Sequence, residues 1–205
     1  MTVYVDAFNL YYGSVKDTPY RWLDLDALCR RLFPSDEITR IRYFTAIVSA
    51  RPGDPQQPQR QQTYLRALRT IPNLSIHLGY YLSHPARMPL AHPRRLGPKT
   101  VEIMKTEEKG SDVNLATFLL LDGFRNDYEV AAVISNDSDL KVPIEIVQTE
   151  LGLRVGVVNP HPVARRSRAL HGTFFKQLRG SALKACQFPP VLQDANGRIR
   201  KPRSW

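Results

Sequence analysis

The chain has 205 residues, 42% of them hydrophobic and 23% charged, and a formal net charge of +10. This composition suits one folded domain of ordinary size and excludes compositional disorder. No run of roughly 18 apolar residues occurs, and residues 1–6 already carry an acid, so the sequence argues against a membrane span or a signal segment. We therefore expect a cytoplasmic protein. The cysteines Cys29 and Cys186 are too few for a disulfide framework or a zinc cluster.

Hydrophobic patterning predicts strands and helices that alternate along the chain. In chain order, the pattern predicts a strand at 3–8, a helix at 23–33, a strand at 40–49, a helix at 57–68, a strand at 74–82, a helix at 112–124, a strand at 130–135, a helix at 140–151 and a strand at 153–158. Gly152 is placed to end the last helix. This alternation predicts an α/β fold with a mostly parallel central sheet and right-handed crossovers.

Proline and glycine interrupt the alternation in two places. Residues 51–58 form a proline-rich loop, and residues 84–98, with four prolines and three arginines, are expected to be an irregular insertion followed by a short strand at 101–105. We divide the chain into an α/β domain at 1–160, a basic extension packed on it at 161–189, and a basic, loosely ordered tail at 190–205.

Four acids stand at predicted strand ends or helix starts. Asp6 ends the first strand, Asp112 opens the third helix, and Asp137 and Asp139 follow the fourth strand. Each has a structural alternative, because an acid at a helix start caps free backbone N–H groups and interacts favourably with the helix dipole. Their conjunction favours a shared site, because the carboxyl ends of parallel strands open onto the same edge of a sheet.

Converging carboxylates repel one another unless a cation lies among them, and an all-oxygen ligand set selects Mg²⁺ or Mn²⁺ over zinc. Such a site suits phosphodiester hydrolysis by an activated water, with one or two ions. A haloacid-dehalogenase-type phosphatase needs an acid where Phe8 stands, and no Walker-type loop occurs. The five histidines show no metal-ligand spacing and are expected to be surface or loop residues, and Glu108 is expected to be solvated.

The excess positive charge lies at the C-terminal end. Residues 151–205 contain eleven lysines and arginines against one acid, Asp194, whereas the first 150 residues contain eighteen of each sign. Such a segment is expected of a protein that binds a polyanion, because each neutralised phosphate releases a counterion. A solvated basic tail explains the charge equally well. The candidate nucleic-acid contacts are Lys109, Arg165, Arg166, Arg168, Lys176 and Arg179.

Three segments carry a resemblance to a known family. They are residues 5–10 (VDAFNL), 109–116 (KGSDVNLA) and 135–140 (SNDSDL), with Pro143 and residues 152–155 (GLRV) further on. In this order they resemble the NYN domain, a branch of the PIN-like nuclease superfamily, and in particular its bacterial LabA-like members. The resemblance spans about residues 1–160 and implies a PIN-like, three-layer α/β/α fold with metal-dependent ribonuclease activity.

The resemblance also implies roles for particular residues. The metal-binding acids would be Asp6, Asp112, Asp137 and Asp139, and the supporting polar groups Asn9 and Ser135. Asn136 departs from the family pattern, which commonly has glycine there. The sequence therefore predicts an endoribonuclease that uses Mg²⁺ or Mn²⁺ to hydrolyse RNA. The alternative is a PIN-like module that binds RNA without cutting it. A homodimer would extend the basic groove.

Overall fold

The computed structural model describes residues 1–93 and 95–205 and contains a seven-stranded central sheet. Its strands are β1 (Thr2–Asp6), β2 (Arg40–Ala46), β3 (Leu74–Pro89), β4 (Thr100–Lys109), β5 (Val130–Ile134), β6 (Arg154–Asn159) and β7 (Phe174–Gln177). They lie in the order β4-β3-β2-β1-β5-β6-β7, and every neighbouring pair is parallel except β3 with β4. The predicted α/β class with a mostly parallel sheet is confirmed.

Six helices belong to the described part of the chain. They are α1 (Ala7–Leu10, continued by a π-helical turn at Tyr11–Val15), α2 (Leu25–Leu32), α3 (Gln57–Leu68), α4 (Ser111–Phe124), α5 (Lys141–Thr149) and α6 (Gly180–Ala185). None of the helices within residues 1–93 and 95–205 combines the length and apolar character that a bilayer span requires.

The sheet is buried on both faces, because its central strands are apolar without interruption. Val3 and Val5 face a core shared with α1, α2, α3 and α6, whereas Tyr4 faces a second core shared with α4 and α5. These two cores make the fold a three-layer α/β/α structure, as predicted. Cys29 lies fully buried in the first core, where burial raises the pKa of its thiol.

Only the first part of the segment at 84–98 departs from the predicted irregular insertion: residues 84–89 are strand, whereas residues 90–93 and 95–98 belong to no helix or strand, as predicted, and Arg94 lies outside the described residues. Strand β3 continues to Pro89 and pairs with β4 from Tyr80↔Lys109 to Pro89↔Thr100, which also confirms the short strand expected at 101–105. Beyond Gly79, β3 no longer pairs with β2. One edge of β3 therefore makes no hydrogen bonds to a neighbouring strand, and proline, which lacks an N–H, is tolerated there. We call residues 80–89 and 100–109 the β3–β4 arm.

The C-terminal residues also differ from the loosely ordered tail expected at 190–205. Strands β8 (Val191–Asp194) and β9 (Gly197–Arg200) form an antiparallel hairpin, and Gly197 has φ +101°, which suits the turn between them. The hairpin packs on the domain, because Ile199 is buried in the first core and Arg66 of α3 pairs with Asp194, Nε lying 2.7 Å from a carboxylate oxygen.

Candidate active site

The strand order changes direction between β1 and β5. After β1 the chain moves to one side of the sheet through β2, β3 and β4, and it then returns through α4 to β5 on the other side of β1. In parallel α/β sheets, ligands bind outside the carboxyl ends of the strands at such a point. Asp6 ends β1, and Ser135 follows β5 directly, so two of the predicted site residues flank this crevice.

Asp6 is 3% exposed, and its carboxylate accepts hydrogen bonds from two donors. One oxygen accepts from the backbone N–H of Asn9 at 2.9 Å, so Asp6 caps α1, and the other accepts from the hydroxyl of Ser135 at 2.8 Å. Burial raises the pKa of Asp6, the bonds from Asn9 and Ser135 oppose that rise, and the charge of Asp137 adds to it. The site therefore holds a desolvated carboxylate beside a second acid.

Asp137 caps the short 3₁₀ turn at Ser138–Leu140 that leads into α5. Its side chain accepts from the backbone N–H of Asp139 at 3.0 Å, and its own N–H donates to the Ser135 hydroxyl oxygen at 3.0 Å. The cap is thus Asp137 and not Asp139, which the sequence had offered as the capping alternative. Asp139 is exposed, and its carboxylate accepts no hydrogen bond within residues 1–93 and 95–205.

Asp112 reaches the same edge from α4, whose first turn contacts β1, β3 and the Ser138–Leu140 turn. Gly110 precedes this helix with φ +94°, a conformation that L side chains rarely adopt. Gly79 of β3 lets the junction pack closely, because a Cβ there would lie 2.4 Å from the carbonyl oxygen of Lys109. These two glycines set where Asp112 enters the site.

The pKa of Asp112 reports how much negative charge surrounds it. Burial, followed by the charges of Asp6, Asp137, Glu108 and Asp139, raises this pKa from 3.8 to about 7. All four predicted acids therefore act on one another at this edge of the sheet. Unlike Asp6 and Asp137, Asp112 accepts no hydrogen bond from the described residues, so its oxygens are free for a ligand.

Glu108 was expected to be solvated, but it is half-buried at the end of β4. Its carboxylate accepts from both the backbone N–H of Ser111 at 3.1 Å and the Ser111 hydroxyl at 2.8 Å. Glu108 therefore closes the first turn of α4 in place of a conventional capping residue and adds its charge beside Asp112. The spacing of three residues between Glu108 and Ser111 was the only sequence signal for this contact.

Asn9 connects the site to a histidine that the sequence analysis had treated as a loop residue. Its side-chain oxygen accepts from the backbone N–H of Asn136 at 3.2 Å and from the Nε2 of His161 at 3.1 Å. His161 follows β6, the strand next to β5, so the parallel sheet brings it to the same edge. A contact across 152 positions leaves no local trace in the sequence, and His161 was missed for that reason.

Asn136 fastens a basic loop to the acid cluster. Its side-chain amide donates to the carbonyl oxygen of Arg165 at 2.9 Å and accepts from the N–H of Ser167 at 2.7 Å. Arg165, Arg166 and Arg168 are all exposed on this loop, and the Arg166 guanidinium lies 3.6 Å from the centre of the Phe175 ring. The asparagine that departs from the family pattern thus holds three predicted RNA contacts beside Asp137.

The other three candidate contacts are not equivalent. Arg179 is exposed just beyond the carboxyl end of β7, and Lys109 is exposed at the end of β4 with its Nζ 3.5 Å from Glu107. Lys176 instead reaches the Phe33 ring, 5.2 Å from its centre, in a pocket with Met1 at the opposite end of the strands. The structure therefore does not bring Lys176 to the acidic edge.

The acids are grouped electrostatically but are not arranged as a closed metal cage. Within residues 1–93 and 95–205, no three histidine, cysteine, aspartate or glutamate side chains are grouped to hold a metal ion. The carboxylates of Asp6 and Asp137 each accept a hydrogen bond from a backbone N–H at the start of the helix or turn that follows. The donor chemistry suits a hard divalent cation, since the set is made of oxygens and carries excess negative charge.

Two known proteins resemble this chain, one in sequence and one in fold. A Pseudomonas putida protein named 6-hydroxy-3-succinoylpyridine 3-monooxygenase HspA is 30% identical over 234 aligned residues, which cover 99% of this chain and 74% of that protein. The crystal structure of a protein of unknown function from Vibrio parahaemolyticus matches with a TM-score of 0.55 and 18% identity, over 87% of this chain and 92% of its own, which is a likeness of fold alone. Residues 1–178 match the description of the NYN domain, a longer stretch than the 1–160 that the motifs covered, and the chain belongs to the NYN domain family.

Proposed function

We propose that this protein is a ribonuclease that hydrolyses RNA phosphodiester bonds in the cytoplasm with Mg²⁺ or Mn²⁺. The observation that carries the proposal is the position of Asp6 at the strand switch point, hydrogen-bonded to Ser135 and close to Asp112, whose pKa burial and the charges of four other acids raise to about 7. So much negative charge at a strand switch point is costly unless a cation neutralises it. Membership in the NYN family supports nuclease-type chemistry in general.

The ion would be held by the same carboxylates. Asp6 and Asp137 are already fixed by hydrogen bonds, whereas Asp112 and Asp139 have oxygens without donors and would turn toward the ion. A bound divalent ion would supply positive charge to the phosphate oxygens and activate a water for attack. Because the described part of the chain has no three-ligand group in place, ion binding would require side-chain rotation.

The remaining polar groups would orient the substrate. Asn9 holds Asn136 and His161 at the crevice, so the His161 ring would lie near the scissile phosphate. The hydroxyl of Ser135 fixes the Asp6 carboxylate and would keep one of its oxygens aimed at the ion. The exposed arginines on the loop held by Asn136 would bind flanking phosphates.

The test is cleavage of single-stranded and structured RNA with Mn²⁺, comparing wild type with Asp137→Asn and with the matched control Asp36→Asn, an exposed acid on the far side of β1. We expect the first substitution to abolish cleavage and the second to leave it unchanged. Equal cleavage by wild type and Asp137→Asn would refute the mechanism. RNA binding without cleavage under any divalent ion would favour the non-catalytic RNA-binding module.

A second candidate function comes from the relative named a 6-hydroxy-3-succinoylpyridine 3-monooxygenase, which matches 99% of this chain. Under this candidate the crevice would hold a hydroxypyridine, and turnover would consume O₂ and two electrons from a supplied reductant. The discriminating measurement is O₂ consumption with 6-hydroxy-3-succinoylpyridine and NADH, alongside RNA cleavage by the same preparation. O₂ consumption that depends on the pyridine, with RNA left intact, would favour the second candidate.

A further inference from the structure

A cavity of about 130 Å³ lies beside the acidic edge, between α1 with its π-helical turn, α3 and the C-terminal residues. Ala7 and Phe8, which follow Asp6 directly in the chain, line the cavity, so it adjoins the acid cluster. Aromatic side chains form about a third of its lining. The aromatic lining residues are Phe8, Tyr11, Tyr12, Tyr43, Tyr64 and Trp205.

The cavity also contains a cation without a partner. Of its charged lining residues, Arg60 is paired with Asp54, which leaves Arg21. The Nε of Arg21 is buried and has no hydrogen-bond partner, and within residues 1–93 and 95–205 Arg21 forms no ion pair. A buried N–H without an acceptor is unfavourable, so this guanidinium is expected to take an anionic ligand.

The charges around Arg21 do not neutralise it. Burial is the main cause that raises the pKa of the Tyr11 phenol in the cavity wall. Arg21 and Arg60 oppose this rise and Asp17 adds to it, so all three charges act on the same wall. Asp17 is exposed and is not in an ion pair with Arg21, and the one acid in the lining, Asp54, is already paired. The lining therefore carries one uncompensated positive charge.

The size and shape of the cavity restrict the anion. Pockets for drug-sized ligands measure roughly 300–1,000 Å³, so a cavity of about 130 Å³ accepts a single ring and not a nucleotide. A guanidinium binds a carboxylate through two parallel hydrogen bonds, and aromatic walls favour a flat ring packed face or edge against them. One free positive charge matches a monoanion and leaves a phosphate dianion half unpaired.

We infer that this cavity is a binding site for a single-ring aromatic carboxylate, with the carboxylate on Arg21 and the ring between the tyrosines and Trp205. The Tyr64 hydroxyl donates to the Leu23 carbonyl at 2.8 Å and is occupied, whereas the Tyr43 hydroxyl has no partner among the described residues. Tyr43 is therefore the group that would contact a ring nitrogen or ring hydroxyl. The inference rests on neither candidate function, since the cavity is separate from the crevice at the strand ends.

The experiment is calorimetric titration with nicotinate and with nicotinamide, which share a ring and differ in charge. Wild type is expected to bind nicotinate at least about tenfold more tightly than nicotinamide, because a charge-assisted pair with Arg21 is lost in the amide. Arg21→Met, which keeps an apolar stem, should remove that difference, and Arg31→Met, an exposed arginine on α2, should retain it.

Three outcomes would overturn the inference. They are equal affinity for the two ligands, unchanged nicotinate binding by Arg21→Met, and tighter binding of uridine monophosphate than of nicotinate. Arg21→Lys serves as a second variant if Arg21→Met does not fold, since it keeps the charge and should keep a preference for nicotinate, although a weaker one. Asp137→Asn should bind nicotinate as wild type does, so a failed nuclease proposal and a failed inference give different results.

Discussion

The hydroxyl of Ser135 donates to Oδ2 of Asp6 at 2.8 Å across 129 positions of the chain, and it joins the ends of two neighbouring strands. The hydroxyl oxygen of Ser135 in turn accepts from the N–H of Asp137. Ser135→Ala removes both bonds at once and leaves a buried carboxylate without its side-chain donor. We expect the free energy of unfolding to fall by about 1–3 kcal/mol, measured by urea denaturation.

The control for this substitution is Ser138→Ala. Ser138 is exposed three residues further on, and its hydroxyl makes no hydrogen bond with a described residue. Its loss should change stability by less than about 0.5 kcal/mol. Equal effects of the two substitutions would show that the bond between Ser135 and Asp6 does not stabilise the site.

Asp112 should make stability depend on pH in a definite direction. Because its folded pKa of about 7 lies above the ordinary 3.8, Asp112 favours folding below about pH 4, and this contribution is lost as the pH rises through about 7. Asp112→Asn should therefore raise the free energy of unfolding at pH 8 relative to wild type by about 1–2 kcal/mol, after allowance for solvent screening. At pH 4 the two proteins should be nearly equal.

This pH effect is measured by urea denaturation at both pH values in the presence of a chelator. Val113→Ala, at the exposed neighbouring residue, should show the same difference from wild type at pH 4 and pH 8. Added Mn²⁺ should stabilise wild type at pH 8 more than Asp112→Asn, because the ion neutralises the charge that destabilises the site. If Asp112→Asn raised the free energy of unfolding at pH 4 and not at pH 8, the repulsion between Asp112 and the neighbouring acids would be contradicted.

Gly110 should be required for both stability and metal affinity. Its φ of +94° is strained for any other residue, so Gly110→Ala should cost about 1–2 kcal/mol and displace the first turn of α4 that carries Asp112. Urea denaturation gives the stability and Mn²⁺ titration the affinity. Gly180→Ala is the matched control, because a Cβ there meets nothing within 4 Å and its φ is ordinary.

The basic loop gives a prediction about salt dependence. The double substitution Arg165→Ala with Arg168→Ala should weaken binding of single-stranded RNA and make the dependence of log K on log salt less steep by about 1.4, since two phosphate contacts of about 0.7 each are lost. Lys176→Ala should change neither quantity, because the Lys176 side chain is directed toward Phe33, into the pocket at the opposite end of the strands. Fluorescence anisotropy at several salt concentrations measures both, and a larger effect of Lys176→Ala would place the RNA elsewhere.

The basic segment cannot be tested by removing it. Residues after Pro160 include β7, which pairs with β6, and α6, whose Leu183 is buried in the first core. A chain that ends at 160 would expose the edge of β6 and lose part of that core. Loss of RNA binding by such a chain would then report unfolding, so single charge substitutions are the informative experiment.

The central strands and the acids at their ends were predictable, because both signals are local. An apolar run such as Val130–Ile134 indicates a strand covered on two faces, and an acid that follows it lies at the ligand-binding edge of a parallel sheet. The role of Glu108 and the contact between Asn9 and His161 were not predictable, since each depends on side-chain geometry or on residues far apart in sequence.

The two wrong predictions of irregular structure have different causes. Pro85 and Pro89 suggested a loop, but in the β3–β4 arm one edge of β3 is unpaired and accepts them. In the C-terminal hairpin the signal was present, because Asn196 stands in the turn and Gly197, the first residue of β9, follows it directly. The polar and basic composition of residues 190–205 had suggested a loose tail instead. The hairpin is held on the domain by the buried Ile199 and by the ion pair of Arg66 with Asp194.

The β3–β4 arm ends one residue before the helix that carries Asp112. Lys109 is its last residue, Gly110 is the pivot, and α4 begins at Ser111. Because Gly110 alone separates the arm from α4, the place of Asp112 at the crevice depends on a strand pair that extends far beyond it. A change in the pairing register of β3 with β4 would therefore be passed on to the helix start that carries this acid.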